Sequence, residues 1–400
     1  MKKQHSIAVI TGTRAEYGLL RPVLQKMQTS SILAPQLIVT GAHLSAAYGN
    51  TVAEIEQDEI PIAARIDILK FDNVAKKSLA IAKTVAYTID AFSDYFTRHR
   101  PDAVLVLGDR YEIFAVGTAA ALLEIPLIHI SGGDVTYGAA DDYFRHCLTK
   151  MAALHFPSCA IYANRLLAMG EQPNAVHQVG GLGDENLRNL PLLSAKALSE
   201  SIDFDVTQPY ALVTFHPETA GGANPTQQCH ALLAALQKSG IACIFTKANA
   251  DAGGAAINEM LDTICKNNAN YRVFQSMGVL RYLSAMRYAA VVAGNSSSGV
   301  VETPTLGVPA VNIGARQRGR IICDNVICCD ATESSILSAL QTALTPAFQS
   351  HAKQAVSPYN GGDTSGKIVA AIEAFVTSDA LGKPKEFYDL PIREKECGAI

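Results

Sequence analysis

Several short polar loops in this chain directly follow short apolar runs, and they hold the residues best suited to chemistry. Three carboxylates stand in such loops: Asp109 in Gly108-Asp109-Arg110, Asp134 in His129-Ile130-Ser131-Gly132-Gly133-Asp134, and Asp141 in Asp141-Asp142. Carboxylates that converge on one cleft repel each other, which splits their pKa values and gives one the role of acid and another that of base. Asp109 and Asp141 are equally what a helix N-cap would need. A second set suits anions. Arg14 lies in Thr11-Gly12-Thr13-Arg14, where glycine allows close backbone approach at a helix start. His216, in Phe215-His216-Pro217-Glu218, is placed to bond a phosphate or to cap a turn. In Gly294-Asn295-Ser296-Ser297-Ser298-Gly299, the hydroxyls of Ser296 and Ser297 and the N–H groups of a following helix suit a diphosphate. Glu302, one turn on, is placed to accept from ribose hydroxyls, although serines there could simply cap the helix. Arg316 adds positive charge beside the next strand, and Lys247-Ala248-Asn249-Ala250-Asp251 follows another.

Those loops need elements to hold them. Residues 7–11, 37–40, 103–107, 127–130 and 176–179 read as buried strands, with helical patterns over 74–98, 113–123 and 143–154. Leu19, Leu20, Val23, Leu24 and Met27 mark one face of a helix after the first strand. A second series of strands is predicted at 211–215, 242–246, 271–274, 290–293 and 310–313, with helices starting near Pro225, Gly254, Gly278 and Ser298. Alternating strands and helices imply parallel sheets covered on both faces, with ligands beyond the carboxyl ends of the strands. The expected domains are 1–188 and 209–370, joined by a polar linker over 180–209, followed over 371–400 by the end of a C-terminal helix and a surface tail that is charged after Gly382. A cleft between two such halves would be the natural ligand site.

Composition narrows the class. The chain has 400 residues, is 48% hydrophobic and carries a net charge of −4. That suits two domains with full cores and offers no basic footprint for nucleic acid or an anionic membrane. The most apolar stretch, 115–130, is too short and too interrupted to span a bilayer. Nine scattered cysteines without C-x-x-C spacing fit reduced thiols in a cytoplasmic protein and give no metal cluster. A G-x-x-x-x-G-K-[ST] phosphate loop and a complete dinucleotide fingerprint are both absent, so no cofactor is expected.

In their order, these motifs, with Arg145-His146, Thr149-Lys150 and Gly314-Ala315-Arg316-Gln317-Arg318-Gly319-Arg320, make the chain similar to the hydrolysing UDP-N-acetylglucosamine 2-epimerases, from near the N-terminus to about Lys367. The resemblance implies two Rossmann-like doubly wound domains of the glycosyltransferase-B type, with a UDP-sugar in the cleft between them. It implies conversion of UDP-GlcNAc and water to N-acetylmannosamine and UDP, through elimination to 2-acetamidoglucal. It also implies a homodimer or homotetramer, contacts of Asn249 and Glu302 with the nucleoside, and Arg110 and His43 near the sugar. Many relatives have Glu where Ser131 stands, and commonly Glu where Asp134 stands, so the resemblance leaves the acid and base roles of Asp109, Asp134 and Asp141 undivided. The same motifs also suit a 2-epimerase of UDP-2,4-diacetamido-2,4,6-trideoxyhexose, and less well a glycosyltransferase or a sugar-nucleotide sensor of this fold. The chemistry matches the residue types: C2–H of the sugar is barely acidic, so elimination depends on departure of the diphosphate. It needs phosphate stabilisation on one side and carboxylates on the other.

Overall fold

A computed structural model of the chain describes residues 4–46, 49–71, 74, 76–135, 141–218, 224–248 and 254–391. They form two units. The first comprises 4–135, 141–185 and 361–391, the second 186–360. The first contains β1 (His5–Thr11), β2 (Leu33–Thr40), β3 (Ile62–Ile66), β4 (Ala103–Leu107), β5 (Leu127–Ile130) and β6 (Leu154–Phe156), parallel and in the order β3-β2-β1-β4-β5-β6. The second contains β7 (Tyr210–Thr214), β8 (Ala242–Thr246), β9 (Tyr271–Phe274), β10 (Val291–Gly294), β11 (Ala310–Ile313) and β12 (Val326–Cys329), again all parallel, in the order β12-β11-β10-β7-β8-β9. In each sheet the strand order reverses next to the unit's first strand, between β1 and β4 and between β10 and β7.

Each sheet is buried on both faces, which is why its inner strands read as continuous apolar runs. Val9, Leu105 and Ile128 face one cluster with the helix Arg14–Gln28, while Ile10, Val104, Val106 and Leu127 face another. In the second unit, Val213, Phe245, Ala293 and Val311 point one way and Leu212, Ile244, Val292 and Ala310 the other. Alternate side chains of a strand point to opposite faces, so one apolar run serves both cores. Among the described residues, no helix is long and apolar enough to cross a membrane.

Several expectations are corrected. β3 and β12 are edge strands whose alternating exposure hides them from a search for unbroken apolar runs. β6 begins at Leu154, the last residue of the helix expected over 143–154, and of the strand expected at 176–179 the structure shows only a bridge between His155 and Val176. The polar stretch 180–209 is not merely a linker: it holds helices Leu182–Asn189 and Ala195–Ile202, and Leu198, Ile202 and Val206 are buried in the second unit. The second unit ends at Asn360 rather than 370. The helix Thr364–Val376 returns to the first unit and buries Ile368, Val369, Ile372 and Val376 beside Val9, Leu20 and Leu24.

Candidate active site

In open parallel sheets, ligand-binding loops cluster where the strand order reverses. In the first unit, the loops after β1 and β4 occupy that place. Thr13 caps the helix Arg14–Gln28, accepting from Glu16 N–H at 3.3 Å. The Glu16 carboxylate turns back and accepts from Gly12 N–H at 2.7 Å. Burial pushes its carboxyl up to about 7, against the pull of that bond and of Arg110. Arg110 forms a fork with buried Glu112, at 3.2 Å from Nε and 2.9 Å from Nη2. Arg14 is exposed and pairs with Glu54 at 3.0 Å. His43 is buried with both ring nitrogens engaged, by Thr11 Oγ1 at 3.0 Å and Thr51 Oγ1 at 2.8 Å. Burial lowers its pKa to about 4, so the ring is neutral. As placed, it holds loops together and presents no open ring nitrogen.

Asp109 does not serve as a cap: the cap position of the helix Tyr111–Leu122 is Arg110. Asp109 instead receives Nη2 of Arg145, whose Nη1 donates to Asp142 at 3.1 Å. Arg145 is 4% exposed. Two carboxylates thus face one buried guanidinium, the arrangement a buried charge needs. Asp141 starts the helix Asp141–Met151 that carries Asp142 and Arg145. Its carboxyl is held above the ordinary range, first by desolvation and then by the charge of Asp109. Asp134 belongs to a different neighbourhood. Its charge acts on the Cys159 thiol together with that of Arg165, and its buried Oδ1 has no hydrogen-bond partner among the described residues. The structure therefore gathers Asp109, Asp141 and Asp142 around Arg145, where the sequence suggested Asp109, Asp134 and Asp141. Arg145 and Asp142 were legible in principle: spacings of three and four residues put Asp141, Asp142 and Arg145 on one helical face.

The second unit's reversal point is built from amides and hydroxyls. Gly294 closes β10 at φ +135°, where a Cβ would lie 1.9 Å from Thr214 O, so only glycine fits. Asn295, fully buried, follows. Its Oδ1 accepts from His216 N–H at 2.7 Å, and its Nδ2 donates to His216 O at 2.8 Å. Its own carbonyl accepts from Arg316 Nη1 at 3.1 Å and Gln317 Nε2 at 2.8 Å. One side chain and one carbonyl thus join the loops after β7, β10 and β11. Glu218 adds a second tie by accepting from Ala315 N–H at 2.8 Å.

Ser297 precedes the helix Ser298–Val301, yet its side chain makes no capping hydrogen bond. That helix has only four residues, and a second short helix, Thr303–Leu306, with Pro304 in its first turn, replaces the expected continuous one. Glu302 lies between them. Its Oε2 is buried without a hydrogen-bond partner among the described residues, and burial pushes its carboxyl up to about 7 against the pull of Arg320. Tyr282, with no sequence signal beyond its helix, is placed close to Thr214, Ser296 and Ser298. Asn249 lies outside the described residues.

Two Rossmann-like parallel units, each with its polar loops at the strand reversal, define an α/β protein of the glycosyltransferase-B type. A crystal structure of UDP-GlcNAc 2-epimerase from Neisseria meningitidis shares this fold, with a TM-score of 0.76 at 18% identity over 92% of this chain and 99% of that one. The sequence model of the UDP-N-acetylglucosamine 2-epimerase family matches residues 25–373, and the chain belongs to that family and is an epimerase. It is 39% identical over 326 residues to the GDP/UDP-N,N'-diacetylbacillosamine 2-epimerase (hydrolyzing) of Campylobacter jejuni, covering 81% of this chain and 84% of that one. It is also 36% identical over 394 residues to the polysialic acid biosynthesis protein P7 of Escherichia coli, covering 98% of each.

Proposed function

We propose that this epimerase is of the hydrolysing kind and converts UDP-GlcNAc and water to N-acetylmannosamine and UDP. The observation that carries the reading is the buried Arg145 held between Asp109 and Asp142, with Asp141 beside Asp109, at the reversal point of the first sheet. A base removes the C2 proton while the C1–O bond breaks and its electron pair leaves with UDP. The product of that step is 2-acetamidoglucal. Water then adds its hydroxyl to C1, and a proton reaches C2 from the opposite face, which inverts that carbon. Two neighbouring carboxylates suit those two transfers. Asp109 and Asp141 are the proposed pair; Asp134, in its own neighbourhood with Cys159, is given no part in the two transfers. In the second unit, His216, Ser296, Ser297 and Arg316 are assigned to the diphosphate, and Glu302 and Asn249 to the nucleoside. In the first unit, Arg14 and Arg110 are assigned to the substrate, while His43, closed by Thr11 and Thr51, holds the loop after β1. The family's own description, UDP-N-acetylglucosamine 2-epimerase, supports UDP-GlcNAc as the sugar nucleotide.

A second reading keeps the reaction and changes the sugar to UDP-N,N'-diacetylbacillosamine; the relative of that name, 39% identical, favours it. Incubation with each UDP-sugar in D2O, followed by NMR of the released sugar, tests both. Deuterium at C2 of N-acetylmannosamine is the expected result. Product that keeps its C2 hydrogen would overturn the elimination. Turnover of the diacetamido sugar alone would install the second reading.

A further inference from the structure

The charged segment after Gly382 does not simply lie on the surface. Lys385 Nζ donates to the carbonyls of Thr149 at 2.9 Å, Lys150 at 3.1 Å and Ala152 at 2.8 Å. These close the helix Asp141–Met151, where carbonyls have no partner within the helix. The same ammonium pairs with Glu171, a carboxylate with no solvent exposure. Glu171 also takes Lys150 at 2.7 Å, and His155 Nε2 stands 2.9 Å away. Burial alone would raise this carboxyl, but His155, Lys150 and Lys385 together bring it down to about 2. Two neighbours fasten the same segment. Tyr388 N–H donates to Gly170 O at 2.9 Å. The Phe387 ring lies under Lys150 Nζ at 4.8 Å and so close to Gly170 that a Cβ there would fall 2.3 Å from it.

The held helix also carries Asp142 and Arg145 toward Asp109. A helix transmits an axial shift along its length, because each residue is fixed by the next turn. We infer that Lys385 is a positioning residue for the reaction: by gripping the last carbonyls of the helix Asp141–Met151 and the buried charge of Glu171, it sets the axial position of that helix and so seats Arg145 against Asp109. This rests on the reading of Asp109 as a reacting group. A displacement of about 1 Å at a reacting centre costs up to about 10²-fold in rate.

The test uses the full chain with Lys385→Ala, Lys385→Arg and Lys383→Ala, a variant of an exposed lysine two residues earlier. UDP release is measured well below each melting temperature, and amide exchange is followed by mass spectrometry in peptides spanning 141–152. For Lys385→Ala, kcat should fall at least about 10-fold with KM within about twofold, and exchange should rise in 141–152 but not in peptides of the second unit. Lys385→Arg should recover most of the rate, and Lys383→Ala should match wild type. An unchanged kcat with only a lower melting temperature would overturn the inference. So would a risen KM at constant kcat, or an equal loss from Lys383→Ala. If the wild type turns over neither UDP-sugar, the proposed function fails on its own, and unaltered exchange in 141–152 would still overturn the role of Lys385.

Discussion

The two units share a strand order and reverse it at equivalent points, yet they fill those points with different kinds of group. In the first unit the groups are ionic: Arg145 between Asp109 and Asp142, and Arg110 on Glu112. In the second they are mainly amides and hydroxyls, with Asn295 joining three loops, one of them through the Arg316 guanidinium. Both points contain a carboxyl raised to about 7 by burial, and the comparison is sharpest there. Glu16 has the Gly12 N–H to hold it, while Glu302 has an oxygen without a partner among the described residues. Topology fixes where such loops go, and the loop residues decide whether the place moves protons or grips a ligand.

If that division is real, damage to the first unit should fall on rate and damage to the second on affinity. Asp109→Asn should lower kcat by about 10²–10⁴-fold, because asparagine can neither take nor give the proton. UDP affinity should survive, since Arg145 keeps Asp142. Steady-state UDP release beside calorimetric UDP binding decides it, and a near-normal rate would break the comparison at its strongest point. Asn295→Ala removes both side-chain hydrogen bonds to the buried main chain of His216, at about 1–2 kcal/mol for each bond. Urea unfolding should show a loss of roughly 2–4 kcal/mol, and a loss below about 0.5 kcal/mol would mean the loops are tied by something else.

Ser297→Ala should weaken UDP binding by about 1.5–3 kcal/mol, the worth of a hydrogen bond to a charged group, with kcat little changed. Calorimetry that finds equal affinity would leave that hydroxyl idle. Glu302 gives a prediction in pH. Its folded pKa, about 7, exceeds the ordinary 4.5. The native state therefore binds the extra proton between those values, and stability falls as pH rises through that window. Glu302→Gln should flatten the fall and, without nucleotide, be more stable than wild type at pH 8 by about 1–2 kcal/mol, with no advantage at pH 4.5. Urea titrations at both pH values check it; parallel curves would show that the carboxyl is solvated. Arg14→Ala should change stability by less than about 1 kcal/mol, because its pair with Glu54 is exposed. A larger shift in the melting curve would count against that.

What could be read from the amino-acid order divides along the same physical lines. Inner strands such as 103–107 and 242–246 announce themselves because both faces are buried and every residue is apolar. The edge strands β3 and β12 do not, since half their residues meet solvent. The loops flanking the inner strands are legible for the same reason, which makes Asp109, His216, Ser297 and Glu302 candidates. Arg145 and Asn295 went unassigned because their importance is relational: each matters for the loops it bonds, which are 36 and 79 residues away in sequence. The return of helix Thr364–Val376 to the first unit was hidden likewise, since an apolar helical face does not name its partner.

That return has a consequence for synthesis. The first unit is interrupted by residues 186–360 of the second, and its core lacks Ile368, Val369, Ile372 and Val376 until those residues have been made. A ribosome adding about 5–20 residues per second needs roughly 9 to 35 seconds to make the intervening segment. During that time the nascent first unit must wait with an open apolar face beside helix Arg14–Gln28, while the described residues of the second unit, 186–360, can close as soon as they emerge. The half that comes first from the ribosome is therefore the half that finishes last.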